Sequence, residues 1–288
     1  MKVGVSIVVC VRNEEKYISE CINSILAQSF LDFALVIIDD MSTDNTKNII
    51  EEFDDKRLKY FRNEKWLGIS ESRNNGIKHA EGEFVFFTDG DCTVSQNWVE
   101  EGLKCFREQN CVAVEGSVYY VSKDFEPTFS DYVMENKHGN KFMTGNVAYK
   151  KKVIQAVGGF DTELNYFEDR DIAYKIMRLG KFCFSPKMIA YHPRVTLTPK
   201  KFIESASHTK YRVSLFKKYG DKECIVGRIV FPLNLVKILC PPAIFASLFI
   251  HKFKSSDDYK LLPFTYIYAI SERLQLWKMC IKKRVFLI

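Results

Sequence analysis

The chain has 288 residues, 47% of them hydrophobic and 27% charged, a globular mixture that excludes disorder and leaves room for one large domain or a domain with an appendage. Its 42 basic and 36 acidic residues leave a charge of +6, a mild excess gathered near the C-terminus, and the remainder carries no basic stripe with interleaved aromatics of the kind that binds nucleic acid. Nine cysteines without CxxC spacing read as free thiols in a reducing cytosol, mostly small core residues.

The N-terminus runs straight into a strand, and Arg12 and Glu14 interrupt any apolar region of signal-peptide length, so a cytoplasmic chain is expected. Val3 to Val11 is an apolar run of strand type. Asn13 then stands where it can cap a helix whose apolar face is Tyr17, Ile18, Cys21, Ile22, Ile25 and Leu26. Phe33 to Ile38 is a second strand, closed by Asp39 and Asp40. Ser42 to Thr46 opens a helix carrying Ile49, Ile50 and Phe53. A short strand over Leu58 to Phe61, a loop at Trp66 to Gly68 and a helix over Ser70 to Ala80 follow, and Phe84 to Phe87 is the next strand. Alternation at this rhythm predicts a mainly parallel sheet with helices on both faces and functional residues at the strand ends.

Ser95 to Gln109 reads as a helix and Cys111 to Val121 as a strand, after which Ser122 to Lys141 is polar and turn-rich, suited to a loop or lid. The pattern recovers at Met143 to Tyr149 and in helices over about Lys151 to Val157 and from Phe167 to Leu179, stopped by Gly180. Phe182 to Phe184 and Met188 to Tyr191 are two further short strands, the second ending at His192.

Chemistry concentrates at the ends of these elements. Asp89 and Asp91 follow the Phe84 strand, where the carboxyl ends of an open α/β sheet border the ligand crevice. Carboxylates one residue apart make an oxygen-rich corner suited to a divalent cation holding phosphates, although the corner by itself reads equally as an Asp-Gly turn. Asp39 and Asp40, Glu168 and Asp169, and His192 occupy similar ends, a set that suits a nucleoside diphosphate, a metal and a base.

Taken together, Val5 to Asn13, Ile38 to Asp44, Gly68 with Ser72 to Gly76, Asp89-Gly90-Asp91 as a DxD motif, Thr144-Gly145-Asn146 and Phe167-Glu168-Asp169 resemble glycosyltransferase family 2, in the family's order over roughly residues 3 to 195. The resemblance implies a GT-A fold, Rossmann-like, over residues 1–200, an inverting transfer of a sugar from a nucleotide sugar to an acceptor hydroxyl or phosphate, and Mg2+ or Mn2+ as cofactor. It implies that Val9, Val11, Asn13, Asp40, Arg73, Asp89 and Gly90 hold a UDP-, GDP- or dTDP-linked donor. Asp91 and His192 would bind the metal, Gly145, Asn146 and Glu168 would face sugar or acceptor, and Asp169, with Glu168 beside it, would be the base. Helix capping by Glu168 or Asp171 and a structural role for His192 are the competing readings of those residues. A sugar-phosphate nucleotidyltransferase would need a Gly-rich basic loop after the first strand, which Val11 to Glu15 lacks. A dehydrogenase would need GxGxxG there. A catalytically silent sugar-binding protein is the reading from another class, and Asp91 and Asp169 argue against it.

Residues 201–288 form a mainly helical, apolar and basic appendage. Ile225 to Ile250 is apolar but broken by Arg228, Pro232, Lys237, Pro241 and Pro242, and is no standard membrane span. From Leu261 on, aromatics precede Lys278, Lys282, Lys283 and Arg284, a pattern that suits an anionic inner membrane face, or else packing on the catalytic domain or a second copy. A glycan or polyprenyl-linked acceptor is expected by analogy with the family.

Overall fold

The computed structural model describes residues 4–164, 166–220 and 254–284, so the apolar stretch Ile225 to Ile250 lies outside the described residues. Two compact units emerge, Met1–Lys123 with Met134–Pro193, and Asp124–Val133 with Arg194–Ile288.

In the first unit, branched and aromatic runs become strands buried on both faces, because alternate side chains enter two separate cores. Strand β1 (Val5–Val11) sends Val5, Ile7, Val9 and Val11 to one side and Val8 to the other, and β2 (Phe33–Asp39) divides Leu35 and Ile37 from Val36 and Ile38 in the same way. Helix α1 (Ile18–Leu26) covers the first side with Ile18, Ile22 and Ile25. After α2 (Thr46–Glu51) and β3 (Leu58–Arg62), α3 (Ile69–His79) covers the second side. A Cβ on Gly76 would stand 2.3 Å from Val8 Cγ1, so glycine lets α3 lie directly on β1.

Beyond β4 (Phe84–Asp89) come the short β5 (Thr93–Val94), α4 (Trp98–Gln109), β6 (Ala113–Tyr120), β7 (Val147–Lys150), α5 (Lys151–Ala156), α6 (Glu168–Met177) and β8 (Phe182–His192). Among the described residues the sheet has eight strands in the order β3-β2-β1-β4-β7-β6-β8-β5. It is mixed, since β7 lies antiparallel to β4 and β6, and β5 to β8, while β3, β2, β1 and β4 are parallel, as are β6 and β8. Two sequence expectations change here. Phe182 to Phe184 and Met188 to Tyr191 belong to one strand, because the β6–β8 ladder steps from Gly116↔Ser185 to Ser117↔Ile189 and Pro186 sits in the irregularity. Asn13 does not cap α1: it has φ 59°, and its Oδ1 accepts from the Thr43 N–H (2.8 Å) and Oγ1 (3.2 Å), tying the end of β1 to the turn after β2.

The second unit is helical. It contains α7 (Pro199–Ser205), capped by Thr198, α8 (Thr209–Tyr219), α9 (Ser256–Leu261) and the 20-residue α10 (Phe264–Lys283). The segment 124–133, expected in the first domain by a boundary at residue 200, belongs here. Buried Asp258 accepts from Thr128 Oγ1 (2.7 Å), Ser130 N (2.6 Å), Lys254 N (2.8 Å) and Ser255 N (2.7 Å). Burial opposes its ionisation, yet these donors hold the carboxyl well below the usual range. Arg194 Nε donates to Asp131 Oδ1 at 2.8 Å, and Phe202 stacks on Tyr268 at 4.8 Å. No helix among the described residues is long and apolar enough to cross a membrane.

Candidate active site

The parallel strands β2, β1 and β4 end level with one another, Val11 beside Asp39 and Cys10 beside Asp89, and α1 and α3 leave on opposite faces. Chains that diverge in this way open a crevice at the carboxyl edge. A cavity of about 550 Å³ occupies it, and Val11, Asp40, Asp89, Gly90 and Asp91 contribute to its wall.

At one end Asp40 is buried. Its carboxylate accepts from Asn63 Nδ2 (2.9 Å) and from the backbone N–H groups of Leu67 (2.9 Å) and Gly68 (2.8 Å). Gly68, with φ 86°, turns the chain so that its amide meets this carboxylate where α3 begins. Asp39 is a structural acid, fully buried, accepting from Ser42 N and Tyr60 Oη at 2.7 Å each. Exposed Trp66, with the Arg12 guanidinium 5.1 Å from its ring, stands on the wall near Asp40.

The opposite end is an acidic corner. Asp91 Oδ2 lies 3.4 Å from His192 Nε2, and His192 Nδ1 lies 2.8 Å from the Pro193 carbonyl oxygen. A carbonyl only accepts, so Nδ1 carries the proton, and the Nε2 lone pair of a neutral ring would face the Asp91 carboxylate. Only a proton or a cation between them satisfies both. Cys92 Sγ is the third atom of this group, all within 4.8 Å of one another. Burial, then the charges of Asp91 and Asp89, drive its thiol well above the ordinary value, so it stays protonated. Burial and then Asp91 and Asp89 push Glu14 up to about 8. Asp91 is raised as well, by burial first, with His192 opposing and Asp89 adding. More acid meets here than the nearby cations neutralise, and Asp91 and His192 are donors that suit a divalent ion; the residues fit the metal that the family implies.

Between the two ends Arg73 reaches from α3 across the strand termini. Its Nη1 donates to Glu168 Oε1 at 2.5 Å and its Nη2 to Asp89 Oδ1 at 3.2 Å, with Phe160 beneath the guanidinium at 5.5 Å. Burial by itself would lower its pKa, but Glu168 and Asp89 more than offset that and its pKa rises. Next to Glu168, the partly buried Asp169 accepts from the Arg170 N–H at 2.7 Å. Burial, then the Glu168 charge, raises its carboxyl to about 7, the range in which an acid accepts protons at neutral pH. Among the described residues the Tyr149 hydroxyl is buried without a hydrogen-bond partner, and its pKa rises through burial and then the Asp169 charge.

Val9, Asn13, Arg73, Gly145, Asn146, Glu168, Asp169 and His192, all expected at the site, are not among the residues of the cavity wall. Val9 is fully buried in the core beneath it. Asn146 is fully buried too, and its amide is consumed within the sheet, accepting from Trp98 Nε1 (2.7 Å) and donating to the carbonyls of Ser117 (2.7 Å) and Met188 (2.8 Å). Gly145 is small for a reason of space, since a Cβ there would approach Asp89 Oδ2 to 2.8 Å. Sequence reading missed Cys10, Arg12, Glu14, Trp66 and Tyr166 as wall residues. The visible signal for Trp66 was a large aromatic in a polar, Gly-flanked loop.

The family model described as Glycosyl transferase family 2 matches residues 6–162. A GalNAc(5)-diNAcBac-PP-undecaprenol beta-1,3-glucosyltransferase of Campylobacter jejuni is 38% identical over 166 residues, 52% of each chain. The chain spans between 20% and 57% of the length of the first curated relatives it matches. Among solved structures, the mannosyltransferase PcManGT of Pyrobaculum calidifontis in complex with GDP-Man and Mn2+ superposes with a TM-score of 0.63 at 18% identity, covering 95% of this chain and 86% of that one. S. aureus TarS in complex with UDP-GlcNAc gives 0.60 at 20% identity, covering 98% and 91%. At these identities the likeness establishes the fold, which is GT-A.

Proposed function

The chain belongs to glycosyl transferase family 2, and from that premise we propose that it transfers a sugar from a nucleoside-diphosphate sugar to an acceptor hydroxyl, with inversion at the anomeric carbon. The observation that carries this reading is the meeting of Asp40, Asp89 and Asp91 around one cavity, with Arg73 joining Asp89 to Glu168 beside it.

The nucleoside sits at the Asp40 end with its base against Trp66, and the diphosphate runs toward the acidic corner. Asp91 and His192 would hold a divalent ion, Mg2+ or Mn2+, and such an ion would supply positive charge to offset that of the diphosphate. The sugar then lies toward Arg73, whose bonds to Asp89 and Glu168 hold both carboxylates in place. Asp169 takes the acceptor's proton as that oxygen attacks from the face opposite the leaving group. A positioned base of this kind contributes roughly 10²- to 10⁴-fold in rate.

The acceptor we propose is a polyprenyl-linked glycan, since the Campylobacter jejuni relative is named for an undecaprenol substrate. Contact with a membrane surface is supported by α10, where exposed Ile267, Leu274, Trp277 and Ile281 fall on one face with Lys278 and Lys282 beside them. This assigns catalysis to the sheet unit and lipid contact to the helical one, at the inner face of the cell membrane.

Thermal stabilisation by UDP-, GDP- and dTDP-sugars, each with and without Mn2+, tests the donor site. Stabilisation by one of them, deepened by the metal and followed by its hydrolysis, is the expected result. Indifference to all of them would overturn the proposal. Flotation with anionic vesicles tests the surface, and unchanged flotation after Trp277→Glu with Ile281→Glu would remove it.

A further inference from the structure

At the end of the sheet opposite the cleft, where β6 and β8 begin, three cysteines converge from separate parts of the chain. Cys105 lies in the last turns of α4, Cys111 in the connection to β6, and Cys183 is the second residue of β8. All three are buried, and their sulfurs lie within 4.8 Å of one another. No spacing in the sequence announces them, because pairing of β8 with β6 is what brings Cys183 to the other two.

Ordinary core packing accounts for single buried thiols such as Cys21. It does not account for the polar cover over this trio. Gln109 Nε2 donates to Cys105 Sγ at 3.4 Å, and Lys181 Nζ donates to Gln109 Oε1 at 3.1 Å, so two exposed residues form a hydrogen-bonded cap ending on sulfur. Within the trio, Cys111 Sγ donates to the Cys105 carbonyl at 3.7 Å.

We propose that Cys105, Cys111 and Cys183 form a three-sulfur site for a soft, thiophilic monovalent cation, with Cu+ as its type, under a cap of Gln109 and Lys181. Thiolate sulfur selects such ions over the hard cations suited to the Asp91 corner. On uptake, sulfur–metal bonds replace S–H bonds and the protons pass to solvent, and the Lys181 ammonium offsets the negative charge left on sulfur. The bound ion would tie the end of α4 to the starts of β6 and β8.

The test is an anaerobic titration of the full chain with Cu+, in a non-thiol reductant, against a chromogenic Cu+ chelator. One equivalent should be withheld from the chelator, with an ultraviolet sulfur-to-copper charge-transfer band and a higher melting temperature. Cys105→Ala, Cys111→Ala and Cys183→Ala should each weaken retention by about a hundredfold or more, at least what loss of an outer-shell partner costs. Lys181→Met should weaken it less, and Cys280→Ala not at all. Copper-edge X-ray absorption of the loaded wild-type chain needs no variant to fold. Three sulfur neighbours support the site, whereas nitrogen and oxygen neighbours, or retention unchanged in Cys183→Ala, overturn it.

Discussion

Replacing Asp169 by Asn should abolish transfer and at the same time stabilise the protein above neutral pH. A free aspartate titrates near 3.8, and burial with the Glu168 charge raises this one to about 7. The native state therefore binds the Asp169 proton more tightly than the unfolded chain. Its contribution to stability is whole below 3.8 and is lost as pH rises through about 7. The gap between 3.8 and about 7 makes the ionised wild-type side chain unfavourable by at most about 4 kcal/mol at pH 8, less what solvent at this partly buried site screens. Asparagine carries no charge and escapes that cost. Urea unfolding of both proteins at pH 4, 6 and 8 should show the variant's advantage growing from near zero to a few kcal/mol, with nucleotide-sugar binding retained throughout. Wild-type turnover should rise with pH through about 7 as the base loses its proton. A variant no more stable than wild type at pH 8 would refute the electrostatic account, and one that still turns over normally would refute the role.

Asp91→Ala should weaken nucleotide-sugar binding in Mg2+ or Mn2+ and leave the metal-free affinity little changed, which calorimetry with and without the ion would read. Arg73→Met should cost about 3–5 kcal/mol in chemical unfolding by leaving buried Glu168 unpaired, and Arg73→Met with Glu168→Gln should regain part of that loss. Trp66→Ala should weaken donor binding by about 1–3 kcal/mol, the range for an aromatic stacked on a base, without moving the melting temperature, because this ring is solvent-exposed in the free protein.

Much of this protein was written locally. The apolar runs at Val5 to Val11, Phe33 to Ile38 and Phe84 to Phe87 could only be strands covered on both faces, and the acids at Asp40, Asp89 and Asp91 follow those runs directly, so strand chemistry alone carried them to one edge. The family motifs added roles to positions already singled out by their place in the pattern. What depended on contacts between distant segments was hidden, because one-dimensional periodicity shows which face a residue takes but not what it meets there. The antiparallel insertion of β7 decides that Asn146 braces the sheet instead of facing the cavity. The ion pair between Arg73 and Glu168 joins residues 95 positions apart, and with the bond to Asp89 it makes Arg73 a buried strut between two acids. Sequence determined which atoms stand at the ends of the strands; only the tertiary structure decided which of them share a charge, since electrostatic coupling depends on distance and burial and neither is a local property of the chain.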